Sequence, residues 1–252
     1  MGVLLAIFIK TSSRPGYTAN VKAWCLVQSC NMAAEGKVYR ILAFGDSLTT
    51  GNTGGEENIQ LDKPYTIRLS QLLSENHPSL KFEVENKGIY GELVCGGMSY
   101  RLPKVLNEYG PYDIVIILGG TNDIIEPKEG LEDTLFEQIK MLHSEVKGHG
   151  AKCVALTIPE TDVYFKDLGK NGLSWVKEAG DNIRLKLNGK LRAYIKDCGG
   201  EIILCDLAEK FPQQSLSAES LEKLWSDGLH FTEDGYNKMA EIIYEDMRYL
   251  VS

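Results

Sequence analysis

Four short segments of the chain carry the residue types that nucleophilic catalysis needs. They are GDSLT at 45–49, NKGIYG at 86–91, GGTND at 119–123 and DGLH at 227–230. A serine hydroxyl becomes an effective nucleophile only beside a general base. Ser47 is the candidate nucleophile and His230 the candidate base. Asp227 stands three residues before His230, a spacing that brings two side chains to one side of a helical-type turn, so its carboxylate can orient the imidazole.

Each of these residues also has a plainer interpretation. A Gly-Asp-Ser tripeptide is a common turn in which the serine caps a helix. Asp227 and His230 could likewise do no more than cap the last helix of the chain. The remaining histidines, His77, His143 and His149, lack such an acidic neighbour in a turn, and we expect them to be exposed or structural.

The elements that must position these residues follow from the apolar pattern. Five short apolar runs predict strands, at Arg40–Phe44, Phe82–Asn86, Ile114–Leu118, Cys153–Leu156 and Ile202–Cys205. Segments with helical periodicity lie among them, at Tyr65–Glu75, Leu131–His149, Asn182–Cys198 and Glu233–Leu250. This alternation predicts an α/β fold, a single three-layer α/β/α domain with a five-stranded parallel sheet.

Such a sheet also predicts where a ligand binds. Open parallel sheets bind ligands beyond the carboxyl ends of their strands, where the chain order reverses. The segments that leave the first three predicted strands are 45–55, 87–97 and 119–122, and each contains several glycines. We assign this domain to residues 39–252 and leave residues 1–38, which show no clear period, as an unassigned N-terminal extension.

Together and in this order, the four segments resemble the sequence blocks of the SGNH (GDSL-type) hydrolases, over most of residues 39–250. The resemblance implies a flavodoxin-like α/β/α fold and a serine esterase that works through an acyl-enzyme, with no metal or organic cofactor. It also implies an oxyanion hole made of the Ser47 and Gly91 backbone N–H groups and the Asn122 side-chain amide. Gly88 is the alternative for the glycine of the oxyanion hole, but counting along the chain from Asn86, at the end of the second strand, favours Gly91.

Other features narrow this interpretation. Thr49 stands where the Gly-x-Ser-x-Gly elbow of α/β-hydrolases needs its second glycine, so that fold is disfavoured. Asp46 and Asp123 flank the candidate site, and we expect them to bind backbone groups rather than take part in catalysis.

The substrate is less closely defined. A short-chain acyl or acetyl ester is favoured, and a lysophospholipid or an acetylated carbohydrate is the alternative. The connections 159–177, with Tyr164, Phe165 and Trp175, and 207–226, with Phe211 and Trp225, form either pocket walls or surface loops with buried anchors. Three other functions stay open: acyl transfer to an alcohol, a phosphate- or nucleotide-binding module built on segment 45–55, and an inactive relative that acts as an interaction protein.

Composition excludes some partners. The net charge of −8 argues against nucleic acid, which requires a basic face. Six dispersed cysteines form no CxxC or zinc pattern, so we expect most of them to be free thiols. The apolar run at 3–9 is too short to span a bilayer and lacks the flanks of a good signal peptide. A cytoplasmic location is therefore favoured over secretion, and the oligomeric state is open.

Overall fold

Five parallel strands form the centre of the fold, in the spatial order β2-β1-β3-β4-β5. The computed structural model describes residues 37–54, 62–125, 127–161 and 174–251. The strands are β1 (Val38–Gly45), β2 (Lys81–Gly88), β3 (Ile114–Leu118), β4 (Lys152–Leu156) and β5 (Ile202–Cys205). Since β1 lies between β2 and β3, the loops that leave these three strands meet at one edge of the sheet.

Helices cover both faces of this sheet, because side chains of each strand point alternately to opposite faces. The longer helices are α2 (Tyr65–Asn76), α3 (Ser99–Tyr109), α5 (Leu131–Gly148), α6 (Ser174–Asp197) and α9 (Glu233–Met247); the shorter ones are α1 (Ser47–Thr50), α4 (Thr121–Ile124), α7 (Leu207–Lys210) and α8 (Ala218–Leu224). Ile41 and Ala43 of β1 pack with α2 and α9, whereas Leu42 and Phe44 pack with α3, α5 and α6. The predicted α/β/α sandwich with a five-stranded parallel sheet is confirmed.

One long helix has no counterpart among the predicted elements. Helix α3 contains Pro103 and follows an irregular turn at Val94–Met98 that includes Gly96 and Gly97. Proline and glycine normally argue against a helix, yet Leu102, Val105 and Leu106 are buried against the sheet and hold this one in place. Tertiary packing here overrides the local sequence preference.

Several smaller predictions can also be compared with the structure. Cys95, Cys153, Cys198 and Cys205 are free thiols, and Cys153 and Cys205 are buried as expected, while Cys25 and Cys30 lie outside the described residues. Residues 1–36 also lie outside them, so the division of the chain into an extension and a domain stays a prediction. Among the described helices, none combines the length and the apolar character that a bilayer-spanning segment needs.

The structure tests the prediction of pocket walls for the connection 207–226 but not for the aromatic residues of 159–177. Tyr164, Phe165 and the Trp175 side chain lie outside the described residues. Phe211 and Trp225 are buried and pack against Phe231, with ring centroids 5.1 and 4.4 Å from it. In the second connection the aromatic residues are therefore buried anchors.

Candidate active site

Ser47 is the first residue of α1, and Asp46 alone separates it from the end of β1. Asp46 caps the helix, because its Oδ1 accepts a hydrogen bond from the Leu48 N–H at 3.0 Å. The cap is thus the aspartate, and not the serine of the plainer interpretation, so the Ser47 hydroxyl is free for another partner. Gly88 allows α1 to lie this close to the sheet, since a Cβ on Gly88 would come within 2.4 Å of the Thr50 nitrogen.

His230 and Asp227 lie in the turn that leads into α9. Their side chains meet as expected, but the turn is not helical. Gly228 has a left-handed conformation at φ +89°, and Asp227 Oδ1 accepts the N–H groups of Leu229 and His230 at 2.9 and 2.7 Å. The aspartate therefore shapes the turn with one oxygen and contacts the imidazole with the other.

These three side chains form one chain of hydrogen bonds. Ser47 Oγ lies 3.0 Å from His230 Nε2, and His230 Nδ1 lies 2.7 Å from Asp227 Oδ2. A carboxylate can only accept, so Nδ1 carries the proton and Nε2 is left as an acceptor for the Ser47 hydroxyl. The structure thus brings together Ser47, His230 and Asp227, although 183 residues separate the first two.

The Asp227 carboxylate is held in its charged form. Burial raises its pKa, but hydrogen bonds from the His230 ring and from the backbone N–H groups of His230 and Leu229 outweigh burial and lower the pKa of Asp227 to about 2. Asp227 therefore stays an acceptor for His230 at every pH near neutrality.

Long-range contacts fix the Asp227–His230 turn in place. The Gly228 carbonyl accepts hydrogen bonds from Thr161 Oγ1 at 3.2 Å and from Gln213 Nε2 at 3.3 Å. Trp225 and Phe231 form a β-bridge across the turn. The sequence carried no signal for Thr161 or Gln213, because their roles depend on a contact with a distant carbonyl rather than on a local pattern.

The two other expected site residues lie on the loops that leave β2 and β3. Gly91 is in a turn just after β2, with φ +66°, and no atom of residues 37–54, 62–125, 127–161 or 174–251 lies within 4 Å of where a Cβ would be. Asn122 is in α4, and its Nδ2 donates to the Glu92 carbonyl at 3.1 Å. This bond ties Asn122 to the loop that carries Gly91. Gly88, the alternative, is closely packed against α1, as described above.

Arg101 and Glu92, which the sequence did not single out, hold the loop after β2 in place. Arg101 Nε donates to Glu92 Oε1 at 2.8 Å, and its other nitrogens donate to the carbonyls of Lys87 and Gly45 at 2.9 and 3.3 Å. The guanidinium also stacks on the Phe44 ring, 3.9 Å from its centroid. Arg101 thus joins the ends of β1 and β2 to the Gly91 loop.

The two flanking aspartates bind backbone groups, as expected. Asp123 accepts from the N–H groups of Val94 and Cys95 at 2.8 and 3.0 Å, and Asp46 caps α1. Asp46 is fully buried, and its Oδ2 has no hydrogen-bond partner among the described residues. Burial raises the pKa of Asp46 to about 7, although the Leu48 N–H and the charge of a protonated His230 act in the opposite direction.

A cleft of about 360 Å³ opens beside Asn122. Its walls are Leu93, Cys95, Asn122, Asp123, Ile125, Lys128 and Leu131. Leucine and isoleucine side chains make the cleft partly apolar, while Asn122 supplies a polar group at one side. Such a mixture suits a small molecule with an apolar portion and a polar reacting group.

The other histidines take no part in this arrangement. His143 is buried and stacks on Tyr194, His77 packs against Phe82 and Tyr244, and the exposed His149 contacts Glu145. Across the described ranges, no group of histidine, cysteine and acidic side chains has an arrangement that could hold a metal ion.

Comparisons with known proteins show the family and the fold of this chain. Residues 43–238 match the sequence profile of the GDSL-like lipase/acylhydrolase family. No curated protein matches the chain significantly. An aryl esterase from M. smegmatis is 20% identical, with a TM-score of 0.62 over 84% of this chain and 100% of its own. A carbohydrate acetylesterase from Sinorhizobium meliloti is 19% identical, with a TM-score of 0.62 over 84% of this chain and 99% of its own.

A third solved structure extends the comparison to a protein named only by its family. It is a member of the lipolytic G-D-S-L family from Veillonella parvula, 18% identical, with a TM-score of 0.60 over 83% of this chain and 97% of its own. At such identities, the solved structures establish that these proteins share the fold of this chain.

Proposed function

This chain belongs to the GDSL-like lipase/acylhydrolase family, and we propose that it is a serine esterase that hydrolyses carboxylic esters. The proposal rests above all on one observation, the hydrogen-bond chain from Ser47 Oγ to His230 Nε2 at 3.0 Å and from His230 Nδ1 to Asp227 Oδ2 at 2.7 Å. The first distance is within the range in which a general base can take a hydroxyl proton, and the second is that of a hydrogen bond that orients the base.

In the first half of the reaction, the Ser47 oxygen attacks the ester carbonyl carbon as its proton moves to His230 Nε2. The carbonyl oxygen becomes an oxyanion, and His230 then gives the proton to the departing alcohol oxygen as the carbon–oxygen bond breaks. In the second half, His230 takes a proton from water, the resulting hydroxide attacks the acyl-enzyme, and the proton returns to Ser47. Asp227 keeps the imidazole oriented and stabilises its charged form.

The oxyanion is stabilised by hydrogen-bond donors, for which we propose the backbone N–H groups of Ser47 and Gly91 and the side-chain amide of Asn122. The contact from Asn122 Nδ2 to the Glu92 carbonyl supports this role, because it holds the amide beside the Gly91 loop before substrate arrives. Preorganised donors of this kind need no rearrangement as charge develops.

For the substrate we propose a short-chain acyl or acetyl ester, with the acyl group in the cleft beside Asn122. A volume of about 360 Å³ with walls from Leu93, Ile125 and Leu131 has room for a small acyl group. A lysophospholipid or an acetylated carbohydrate remains the alternative; solved structures of similar fold include the carbohydrate acetylesterase from Sinorhizobium meliloti.

The test compares p-nitrophenyl acetate, butyrate and octanoate as substrates of the wild type and of Ser47→Ala and His230→Ala. We expect each variant to lose at least about a thousandfold in kcat. Ser47→Ala should also lose labelling by a fluorophosphonate probe. His149→Ala, at an exposed histidine outside the site, is the matched control and should keep wild-type activity.

The chain-length profile separates the substrate classes. A preference for acetate supports the short-chain proposal, and a preference for octanoate favours a lipid ester instead. A wild type that neither hydrolyses these esters nor takes the label, or a Ser47→Ala variant that stays active, would overturn the esterase proposal.

A further inference from the structure

Within the described ranges, His230 Nε2 has two polar neighbours, and the proposed reaction uses only one of them. Ser47 Oγ lies 3.0 Å from this nitrogen, and Asn52 Nδ2 lies 3.2 Å from it. Asn52 is just beyond the end of α1, 178 residues before His230 in the chain. It therefore reaches the base from the same segment that carries the nucleophile.

The orientation of the Asn52 amide follows from its other contacts. Its Oδ1 accepts the Gly54 N–H at 2.8 Å, so the opposite end of the amide, the NH₂ group, faces His230. Its backbone is also held, because the Asn52 N–H donates to the Ser47 carbonyl at 3.1 Å and the Asn52 carbonyl accepts the Tyr236 hydroxyl at 2.6 Å. Tyr236 is buried in the core, so its hydrogen bond anchors the Asn52 backbone to the core.

An NH₂ group can donate hydrogen bonds but cannot accept them. It therefore stabilises Nε2 when that nitrogen is unprotonated, and it opposes a proton there. The acidic groups near His230 have the opposite effect: Asp227 on the Nδ1 side favours a positive imidazole, and so does Asp46 at the start of α1 whenever it is ionised. On the side of α9, the Tyr236 hydroxyl is directed at the Asn52 carbonyl.

We infer that Asn52 is a positioning residue that keeps His230 Nε2 unprotonated between turnovers, an inference that rests on the proposed esterase function. During attack, the Ser47 proton moves to Nε2 and faces the Asn52 NH₂ group. This unfavourable contact ends when the proton passes to the departing alcohol. Asn52 thus limits how long His230 stays protonated without touching the substrate.

The test measures kcat/KM from about pH 5 to about pH 9 for the wild type, Asn52→Asp and Asn52→Ala. A carboxylate at this position would accept from a protonated Nε2, so Asn52→Asp should move the acid limb of the profile up by about one pH unit or more. At about pH 6 its kcat/KM should fall at least about tenfold below wild type, with a much smaller loss above about pH 8. Asn52→Ala should move the limb in the same direction by less.

Thr53→Ala, in the same loop, is the matched control and should keep the wild-type profile. If the Asn52 variants lose the same fraction of kcat/KM at every pH, or keep the wild-type acid limb, the inference is wrong and Asn52 only supports the loop. Should Asn52→Asp lack a cooperative thermal transition, the profile of Asn52→Ala decides. A wild type without esterase activity contradicts the proposed function itself, whereas an active wild type with an unmoved limb contradicts only the role of Asn52.

Discussion

Gly54 lies directly against the carboxylate of Asp227: a Cβ built on Gly54 would come within 2.3 Å of Asp227 Oδ2, the oxygen that contacts His230. Gly54 also has a left-handed backbone conformation, at φ +69°, and its N–H donates to Asn52 Oδ1. The short segment after α1 therefore contacts both ends of the His230 interaction network, through Asn52 at Nε2 and through Gly54 at the aspartate.

We expect Gly54→Ala to reduce kcat/KM by about tenfold or more, because even a displacement of about 1 Å in a catalytic group is costly. The matched control is Gly150→Ala, at φ +79°, where no atom of the described part of the chain lies within 4 Å of an added Cβ. Both variants should lose about 1 kcal/mol of unfolding free energy from the left-handed conformation, and Gly54→Ala should lose more, because its Cβ also displaces the Asp227 carboxylate. Esterase assays and urea denaturation separate the two effects. Equal activities in the two variants would contradict a tight contact with Asp227.

Asp227→Asn should lower kcat by about 10³–10⁴-fold while the fold is kept. An asparagine oxygen can still accept the N–H groups of Leu229 and His230 that shape the turn. Its NH₂ group, however, would face Nδ1 and favour the tautomer with the proton on Nε2, which cannot take the Ser47 proton. Steady-state kinetics should show this loss in a variant that still unfolds cooperatively, but at a lower thermal midpoint, because asparagine lacks the charge that these hydrogen bonds stabilise. A loss of less than about tenfold in kcat would contradict the expected role of Asp227.

Local patterns were enough to predict most of the sheet. Ile114–Leu118 and Ile202–Cys205 have the predicted bounds, because strands buried on both faces are apolar at every position. Helix α3 was missed, since Pro103 and the preceding glycines hide a helix that packing stabilises. The periodicity predicts that α6 begins at Asn182, but the helix begins at Ser174, because residues 174–181 include Gly180 and show no clear helical period.

The site shows the same limit. Ser47, His230 and Asn122 stand in short segments whose order is informative, so the sequence could single them out. Asn52 and Arg101 have no such pattern, because each acts through contacts with residues brought near by the fold, over separations of up to 178 residues. Their contacts with the site become visible only once the sheet places the ends of β1 and β2 side by side.

Asn122→Ala tests the proposed oxyanion donor. We expect kcat to fall by about 10²–10³-fold with little change in KM, because the donor acts mainly on the charged intermediate. Since the Asn122 amide also holds the Glu92 carbonyl, the thermal midpoint is measured alongside the kinetics. An unchanged kcat would remove Asn122 from the proposed oxyanion hole.

The Arg101–Glu92 ion pair should matter more for stability than an exposed pair. The two side chains are only 18% and 8% exposed, so Arg101→Met leaves a buried carboxylate without its partner. We expect a loss of about 3–5 kcal/mol in the free energy of unfolding, partly recovered in the double variant Arg101→Met/Glu92→Gln. In the control pair Lys147–Glu201, whose side chains are 61% and 57% exposed, Lys147→Met should cost less than about 1 kcal/mol. Urea denaturation that gives equal losses for Arg101→Met and Lys147→Met would contradict the expected role.

Asp46 should make the stability of the protein depend on pH. Its pKa is raised from 3.8 to about 7, so the folded chain keeps a proton that the unfolded chain has already lost. The stability that this proton gives is complete below about pH 4 and is lost as the pH rises through 7, up to about 4 kcal/mol.

Asp46→Asn cannot ionise and can still cap α1, so the variant should gain in thermal midpoint, relative to wild type, between about pH 5 and about pH 8. The contribution of Asp227, with its pKa lowered to about 2, changes only below this window. Asp133→Asn, at a carboxylate 68% exposed, should give a curve parallel to wild type; if Asp46→Asn is parallel as well, Asp46 does not titrate in this range.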